Sequence, residues 1–587
     1  MAKVHSWQEY GEMLNVDYKD ATKNFYKKIK VMRNRDEQYD PTEIIKDENG
    51  NALNEPHLVL NRWRKYFEEL LNLQCEGQPS NPASTVTASN ELEPCISLSE
   101  IRNALKAAPS NKAPGSDNIA AELIKAAEEI GVKWLHRLFN KVWTEQETPL
   151  EWRRAIIIPI WKRKGSKRDC TKYRGIALLS HTGKIFCKIL EKRLRPIIEP
   201  QLNESQMGFR KNRSCTDAIF TLRQLIERST EYNKELHVAF VDQEKAFDRV
   251  DRMKLWEILS QYGVNEHLLN LCKSLYVNSQ YEVRTNAGLS ESFHVGSGVR
   301  QGCVLSPLLF ITYIDHINKT ANTSEGENIA DLLDELLFAD DQAIIASSED
   351  QLQRHVNKLH ETCQDYNMKI NTDKTEIMTF ARKERTTNIF IENTKLKQVK
   401  DFTYLGSIFS ENCKINNEIQ HRCNKAFQVI GQMSPILNCK HVTLTTKRAL
   451  FNTIFLPTLC YQCQTWTMTS HDRRKITTEM KCLRRILGVT RRDRIRNEEI
   501  RKRVGTTPIL TYIKRQQVKW FGHVSRMPSN SKPQMAMLQR HNGYKARGRP
   551  RKRWTSEITE ALNYNIHIAH TKARSRDLLL PLTLKGT

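Results

Sequence analysis

Three aspartates occupy positions where short apolar segments would otherwise continue as buried strands. The segment LLFADDQAII (336–345) places Asp340 and Asp341 between two apolar runs, and HVAFVD (237–242) ends an apolar run on Asp242. A buried carboxylate is costly unless cations or hydrogen bonds compensate its charge. Converging carboxylates suit hard divalent cations such as Mg²⁺, and two such ions can stabilise both the attacking and the leaving oxygen of a phosphoryl transfer. The three residues are therefore candidates for a metal-dependent site.

The local sequence patterns predict how the chain would bring these carboxylates together. Val238, Phe240 and Asp242 alternate on one face of a predicted strand, which puts Asp242 at the end of that strand. FADDQAII predicts a hairpin with Asp340 and Asp341 at its turn. If the two strand ends lie side by side, Asp242 and Asp340 converge although 98 positions separate them. For the aspartate pair alone, a solvated β-turn without a metal is the alternative interpretation.

The composition favours a polyanionic partner. The 587 residues include 92 Lys and Arg against 67 Asp and Glu, a net charge of +25. Residues 471–560 alone hold 25 Lys and Arg against 7 Asp and Glu. Such an excess of cations is typical of nucleic-acid-binding proteins, although an unspecialised basic surface is the alternative. No apolar run is long enough to span a membrane, the first residues lack a secretory signal, and the 14 scattered cysteines fit a reducing compartment.

Three motifs in this order resemble the palm of reverse transcriptases from non-LTR (LINE-type) retrotransposons: FVDxxKAFD, GVRQGCVLSP and FADD. The likeness covers residues 96–554. Together with the alternation of helical and strand patterns, it implies an α+β fold of the right-hand polymerase type, with a palm on an antiparallel sheet. The predicted domains are an N-terminal helical extension (1–74), a flexible linker (75–95), the fingers and palm (96–410), a helical thumb (411–500) and a basic helical C-terminal region (501–587).

The resemblance also implies roles around the carboxylates. Asp242 and Asp340 would bind two Mg²⁺ ions, for which Mn²⁺ could substitute, while Asp341 assists and the carbonyl of Val241 completes a metal site. Lys374, in MKINTDKTEIM, is the candidate for protonating the pyrophosphate leaving group. The implied reaction is in-line attack of a primer 3′-OH on the α-phosphate of an incoming nucleotide. In such a reaction the protein mainly positions the reactants and stabilises charge.

Further residues would contact the nucleotide. Phe247 matches the family's steric gate, in which a bulky ring leaves no room for a 2′-OH and so selects deoxynucleotides. A core aromatic is the alternative for this position. Residues 152–195 hold fourteen Lys and Arg against two acidic residues, and this segment resembles the fingers. The residues with an implied contact to the nucleotide are Lys162, Arg174, Phe247, Gln301 and Gly302.

Three segments would contact nucleic acid. The implied template and primer contacts are Gly208, Phe209 and Arg210 in QMGFRKN, and Tyr404, Leu405 and Gly406 in FTYLGSIF. The basic tract KARGRPRKRW (545–554) contains RGRP, formed by Arg547, Gly548, Arg549 and Pro550, which resembles an AT-hook core. A nuclear localisation signal and nonspecific phosphate binding are alternatives for this tract. Cys460 and Cys463 form a CxxC for which a zinc site is conceivable, but buried thiols are favoured.

These patterns predict an RNA-directed DNA polymerase that uses an RNA template, a DNA primer or target, and dNTPs, without a membrane. A nuclear location with a cytoplasmic ribonucleoprotein stage is expected, and the sequence leaves the protein partners unknown. The segment before residue 96 is too short for the endonuclease that usually accompanies such polymerases, so a fragment lacking it is expected. A catalytically inactive nucleic-acid-binding remnant is the alternative, while an RNA-directed RNA polymerase is disfavoured by Phe247.

Overall fold

The computed structural model describes residues 12–13, 44–72, 93–321, 333–538 and 551–575. The described strands are β1 (Ile45–Lys46), β2 (Ala52–Leu53), β3 (Arg154–Trp161), β4 (Tyr173–Leu178), β5 (Leu236–Val241), β6 (Gln280–Thr285), β7 (Gly288–Leu289), β8 (Phe293–His294), β9 (Glu335–Phe338), β10 (Asp341–Ala346), β11 (Glu376–Phe380), β12 (Phe390–Ile391), β13 (Thr394–Lys395), β14 (Lys397–Gln398), β15 (Asp401–Tyr404) and β16 (Ser407–Ser410).

The described α-helices are α1 (Pro56–Leu70), α2 (Leu98–Ala107), α3 (Ala121–Ala126), α4 (Glu128–Glu145), α5 (Leu150–Arg153), α6 (His181–Ile198), α7 (Cys215–Glu231), α8 (Ala246–Arg249), α9 (Arg252–Gln261), α10 (Glu266–Tyr276), α11 (Ser306–Ala321), α12 (Glu349–Asp365), α13 (Asn416–Asn438), α14 (Leu444–Leu450), α15 (Leu456–Leu459), α16 (Ser470–Ile476), α17 (Glu479–Leu487), α18 (Asn497–Val504), α19 (Ile509–Ser525), α20 (Lys532–Leu538), α21 (Trp554–Leu562) and α22 (Ile566–Arg574). Among the described helices, none is long and apolar enough to cross a membrane. Most of the predicted linker and the RGRP residues Arg547 to Pro550 lie outside the described residues.

An N-terminal sheet is formed by β4, β3, β6 and β7 in that order, with β8 pairing to β6. β3 runs antiparallel to β4 and parallel to β6. Helix α1 begins with a proline, which suits a first helical turn, and buries its apolar face against this sheet. Its Trp63 meets Tyr173 of β4 edge-on, with ring centroids 4.9 Å apart. This packing fixes the end of the sheet from which Lys162 and Arg174 project.

A central sheet has the strand order β14-β11-β5-β10-β9. All six residues of β5 are buried, and the predicted alternation along it is observed: Val238 and Phe240 pack into one hydrophobic core, while Ala239 and Val241 pack into another. The predicted α+β fold is confirmed. The central sheet is antiparallel except at one edge, where β14 runs parallel to β11 because it returns from the small β12–β13 hairpin.

The chain after β16 is helical and builds its own core. Buried apolar side chains between Ile415 and Ile513 form one cluster, which we call the helical body (residues 415–513). Helices α19 to α22 form a further small core with Phe220 of α7. The C-terminal helices therefore pack against the part of the molecule that carries the central sheet.

The second half of the basic tract belongs to this docked region. Trp554 is fully buried, and its indole nitrogen donates to the carbonyl of Gln464 at 2.8 Å. Arg553 pairs with Glu231 of α7 at 2.6 Å. Residues 551–554 are thus held by the fold, which the local sequence pattern of a basic tract does not reveal.

Candidate active site

The register of the central sheet brings Asp242 next to the aspartate pair. Val241, the last residue of β5, lies opposite Gln342 of β10. Continuing this antiparallel register by one position places Asp242 opposite Asp341. Opposed Cα atoms in antiparallel strands lie about 4.5–5.5 Å apart, and their side chains share one face. The predicted convergence of strand and hairpin ends is therefore observed.

The hairpin turn lies one residue earlier in the chain than the sequence pattern predicts. Phe338 pairs with Asp341, so the turn consists of Ala339 and Asp340, while Asp341 is the first residue of β10. Ala339 adopts a left-handed conformation with φ of 61°, which is unfavourable for a residue with a Cβ. The amide oxygen of Gln206 holds this turn, because it accepts hydrogen bonds from the backbone N–H of Ala339 at 3.1 Å and of Gly208 at 2.9 Å.

Negative charge accumulates at this end of the sheet. Partial burial raises the pKa of Asp341 to about 6, and the Asp340 and Asp242 carboxylates add to the rise. Desolvation also raises the pKa of Asp340, where Asp242 contributes and Arg174 opposes. The ammonium of Lys374 lies 3.2 Å from the Asp242 carboxylate and partly compensates it. A site of this kind favours binding of additional positive charge.

A group of cations lies near the carboxylates, in the space between the N-terminal and central sheets that we call the cleft. Desolvation lowers the pKa of Lys162, and the neighbouring charges of Lys374, Arg174 and Lys245 lower it further. Burial raises the pKa of Asp248 to about 6, although the positive charges of Lys245, Lys162 and Arg174 oppose that rise. Cations from three separate chain segments thus surround one volume. Such an arrangement suits a polyphosphate.

Lys245 and Asp248 were not among the sequence-predicted site residues. Both lie within the quoted FVDxxKAFD motif, so a signal for them was present. Lys245 has a left-handed backbone with φ of 51°, and its ammonium lies 5.5 Å from the ring centroid of Tyr66 in α1. Lys245 therefore caps the start of the short helix α8, and its side chain points toward α1, which packs on the N-terminal sheet.

Phe247 lies beside the cleft on top of the core. Its ring stacks on Phe310 with centroids 4.0 Å apart and an interplanar angle of 17°. Phe209 meets it edge-on at 6.5 Å and is itself 47% exposed. The half-buried Phe247 ring is thus fixed from below by α11, while one edge reaches the cleft. Both a packing role and a contact to a bound nucleotide are compatible with this position.

The GVRQG segment packs tightly between β4 and α8. The side-chain amide of Gln301 donates to the Asp248 carboxylate at 3.3 Å, and its backbone carbonyl accepts from Ala177 of β4 at 2.8 Å. Gly302 has φ of 134°, and a Cβ built there would lie 2.4 Å from the carbonyl oxygen of Ala177. Only glycine fits this approach. The segment therefore connects the N-terminal sheet to α8.

The segment 205–210 runs along the edge of the hairpin. Met207 donates its N–H to Leu337 of β9 at 2.8 Å, which leads Gly208 directly onto the turn. Arg210 is turned away from the cleft: its side chain is 8% exposed and donates to the carbonyls of Asn203 and Gln206. Among the three predicted template contacts, Phe209 is the side chain that reaches solvent.

The predicted primer-contacting residues form the turn between β15 and β16. Leu405 and Gly406 both have positive φ, 46° and 80°, as a two-residue hairpin turn requires. Tyr404 is buried beside Phe240 of β5, with ring centroids 5.4 Å apart. The hydroxyl of Tyr461 donates to the Leu405 carbonyl at 2.9 Å. This hairpin is thus held between the central sheet and the helical body.

The described residues show no group of three or more His, Cys, Asp or Glu side chains that could hold a metal ion by themselves. For Mg²⁺ this is no obstacle, since the ion is usually bound by one or two carboxylates, with water and substrate phosphates as the other ligands. The Asp242, Asp340 and Asp341 oxygens fit that donor set. Cys460 and Cys463 are 6% and 1% exposed and lie in the core of the helical body.

Comparison with known proteins agrees with this geometry. Residues 162–409 match the family described as reverse transcriptase (RNA-dependent DNA polymerase). Over these residues the chain is similar to a reverse transcriptase domain. The matched segment contains the aspartates and cations described above, together with Gly208, Gly302 and Gly406.

Three relatives extend the similarity beyond the reverse transcriptase domain. The chain is 26% identical to the probable RNA-directed DNA polymerase from transposon X-element of Drosophila melanogaster, over 68% of this chain and 44% of the relative. It is 25% identical to the RNA-directed DNA polymerase from mobile element jockey of the same species, over 67% of this chain and 44% of that relative. It is 24% identical to the Pol polyprotein from retrotransposable element R2DM, also of that species, over 60% of this chain and 33% of that relative. The predicted resemblance to non-LTR reverse transcriptases is confirmed. The chain spans less than half the length of these three relatives.

Proposed function

We propose that the chain is an RNA-directed DNA polymerase of a LINE-type element, which extends a primer 3′-OH with dNTPs on an RNA template. The observation that carries the proposal is the register of β5 against β10, which sets Asp242 opposite Asp341 beside the Asp340 turn. The facing cations support it, because a triphosphate would bridge them and the carboxylates. Nuclear location with a cytoplasmic ribonucleoprotein stage is part of the same proposal.

In this proposal, Asp242, Asp340, Asp341 and the Val241 carbonyl would hold two Mg²⁺ ions, which when bound stabilise the attacking and leaving oxygens. The protein groups have separate tasks. Lys162 and Arg174 bind the triphosphate and Lys245 adds charge at the same place, so that the α-phosphate is oriented toward the primer.

Two further residues complete this assignment. Lys374, 3.2 Å from Asp242, carries a proton beside the position of the leaving pyrophosphate. Phe247, fixed by Phe310, occupies the space that a ribose 2′-OH would need.

In this proposal the elements would correspond to the parts of a right-hand polymerase. The N-terminal sheet would be the fingers, the central sheet the palm, and the helical body the thumb. The helical body has a cleft of about 770 Å³ between α13, α16 and α17. Six cations and no acidic residue line it: Arg474, Lys475, Lys481, Arg484, Arg485 and Arg491. A surface of this charge suits a nucleic-acid backbone.

Primer extension by the purified full chain tests the proposal. The wild type should add dNTPs to a DNA primer on an RNA template with Mg²⁺, and Asp340→Asn should abolish the addition. Ser347→Ala, at an exposed residue just past the opposite end of β10, is the matched control and should extend normally. Salt-dependent RNA binding without extension by the wild type would instead select the inactive remnant, and preference for NTPs would select an RNA polymerase.

A further inference from the structure

An apolar stripe on the outer side of α4 has no packing partner among the described residues. Ile130, Trp134 and Leu138 are 72%, 66% and 37% exposed. The opposite side of the same helix is buried, with Val132, Leu135 and Phe139 among its core residues. Large exposed apolar side chains scattered singly are normal, but three in succession along one helix indicate an interaction surface.

The spacing of the stripe fits another helix. The three residues lie at i, i+4 and i+8, so they form one ridge along the helix, about 12 Å long at 1.5 Å per residue. Ridges of this kind pack into the groove of a second helix, with apolar anchors every three or four residues. A tryptophan near the middle of the ridge is a typical anchor residue of protein interfaces.

A row of cations runs beside this ridge. Lys133, Arg137 and Lys141 follow the same spacing, each three residues after a member of the apolar stripe. The Arg137 guanidinium lies 5.9 Å from the centroid of the Trp134 ring, and neither Arg137 nor Lys133 forms an ion pair with a residue that the structure describes. Lys141 approaches Glu145 only at 3.9 Å. Lys133 and Lys141 each interact with one exposed glutamate of the same helix, Glu129 and Glu145, whereas Arg137 has no acidic partner among the described residues.

We propose that this surface, the α4 face (Ile130, Lys133, Trp134, Arg137, Leu138 and Lys141), docks an amphipathic helix of a partner protein whose apolar side is flanked by acidic residues. The charge of the face decides between occupants. A second copy placed symmetrically on the face would set cations against cations. Single-stranded nucleic acid would gain little from Ile130 and Leu138, since only Trp134 offers a ring for base stacking.

A labelled synthetic helical peptide, with leucine on one side and glutamate on both flanks, tests the proposal by fluorescence anisotropy with the full chain. A matched peptide has lysine in place of glutamate. The wild type should bind the glutamate peptide saturably and the lysine peptide much more weakly. Trp134→Ala should raise the Kd by about tenfold or more. Met253→Ala, another change at an exposed apolar side chain, should leave the Kd unchanged.

The decisive variant combines Arg137→Glu with Lys141→Glu. This variant should bind the lysine peptide more tightly than the glutamate peptide, the reverse of the wild type. The proposal is overturned by equal binding of both peptides, by unaltered binding to Trp134→Ala, or by no saturation up to about 100 µM. It is also overturned if the Trp134 surface instead mediates dimerisation or binds single-stranded RNA. Primer extension by Trp134→Ala is measured alongside, so a failed interface is distinguished from a failed catalytic assignment.

Discussion

Replacing Gly208 with alanine should displace the aspartate turn without touching any carboxylate. A Cβ built on Gly208 would lie 2.4 Å from the backbone nitrogen of Ala339 and 3.0 Å from the carbonyl carbon of Phe338, whereas ordinary contacts begin near 3.4 Å. Because both neighbours are backbone atoms, the hairpin carrying Asp340 must move by about 1 Å. A misplacement of that size costs about 100-fold in rate, and overpacking costs about 1–3 kcal/mol of folding free energy.

The assay is single-turnover primer extension together with thermal unfolding of the same preparations. Gly208→Ala should lower the extension rate by about two orders of magnitude and lower the Tm. Gly431→Ala is the matched control for stability, since that glycine lies in α13 with no atom within 4 Å of a built Cβ. It should raise stability by up to about 1 kcal/mol. A Gly208→Ala protein with the wild-type rate and Tm would refute the reasoning.

Three other changes test separate parts of the account. Phe247→Val opens space beside the sugar and should raise the ratio of ribonucleotide to deoxynucleotide incorporation at least about tenfold in a competition assay; an unchanged ratio would speak against the steric gate. Burial raises the pKa of Glu335 from 4.5 to about 8, so this carboxyl ionises more readily in the unfolded chain than in the folded one. The free energy of unfolding is therefore highest below about pH 4.5 and falls as the pH rises toward 8. Glu335→Gln should therefore raise the Tm at pH 8 and change it little at pH 4.5, whereas equal shifts would contradict this burial. Trp554→Ala removes a fully buried ring and should lower the free energy of unfolding by about 3–5 kcal/mol. Residues 551–575 should then become sensitive to limited proteolysis. Proteolytic resistance equal to that of the wild type would contradict this prediction.

The palm-like core could be predicted because its signals are local. The alternation along HVAFVD and the apolar runs on both sides of Asp340 and Asp341 define two strands and a hairpin. Antiparallel pairing then follows once the carboxylates are required to meet. The exact turn was not predicted: Asp341 belongs to the strand because Gln206 stabilises the left-handed Ala339, and that contact joins segments far apart in the chain.

Non-local contacts also explain what the sequence left open. A row of basic residues gives no indication of which cation meets the cleft. The sequence pattern therefore does not single out Lys245, and it gives no sign that the Arg210 guanidinium donates to the carbonyls of Asn203 and Gln206. Residues 551–554 read as a free basic tract, but Glu231 and Gln464 hold them in the fold. For Lys245 and for residues 551–554 the contacting residues lie in another segment, whereas Arg210 bonds to carbonyls close to it in the chain.

Binding of Mn²⁺, followed by electron paramagnetic resonance, tests the central claim that Asp242, Asp340 and Asp341 together bind two divalent cations. The chain is titrated in the presence of an RNA–DNA primer–template and a dNTP. The account predicts two bound ions for the wild type, and at least about tenfold weaker binding for both Asp242→Asn and Asp340→Asn. Wild-type Mn²⁺ affinity in the Asp242→Asn protein would contradict it.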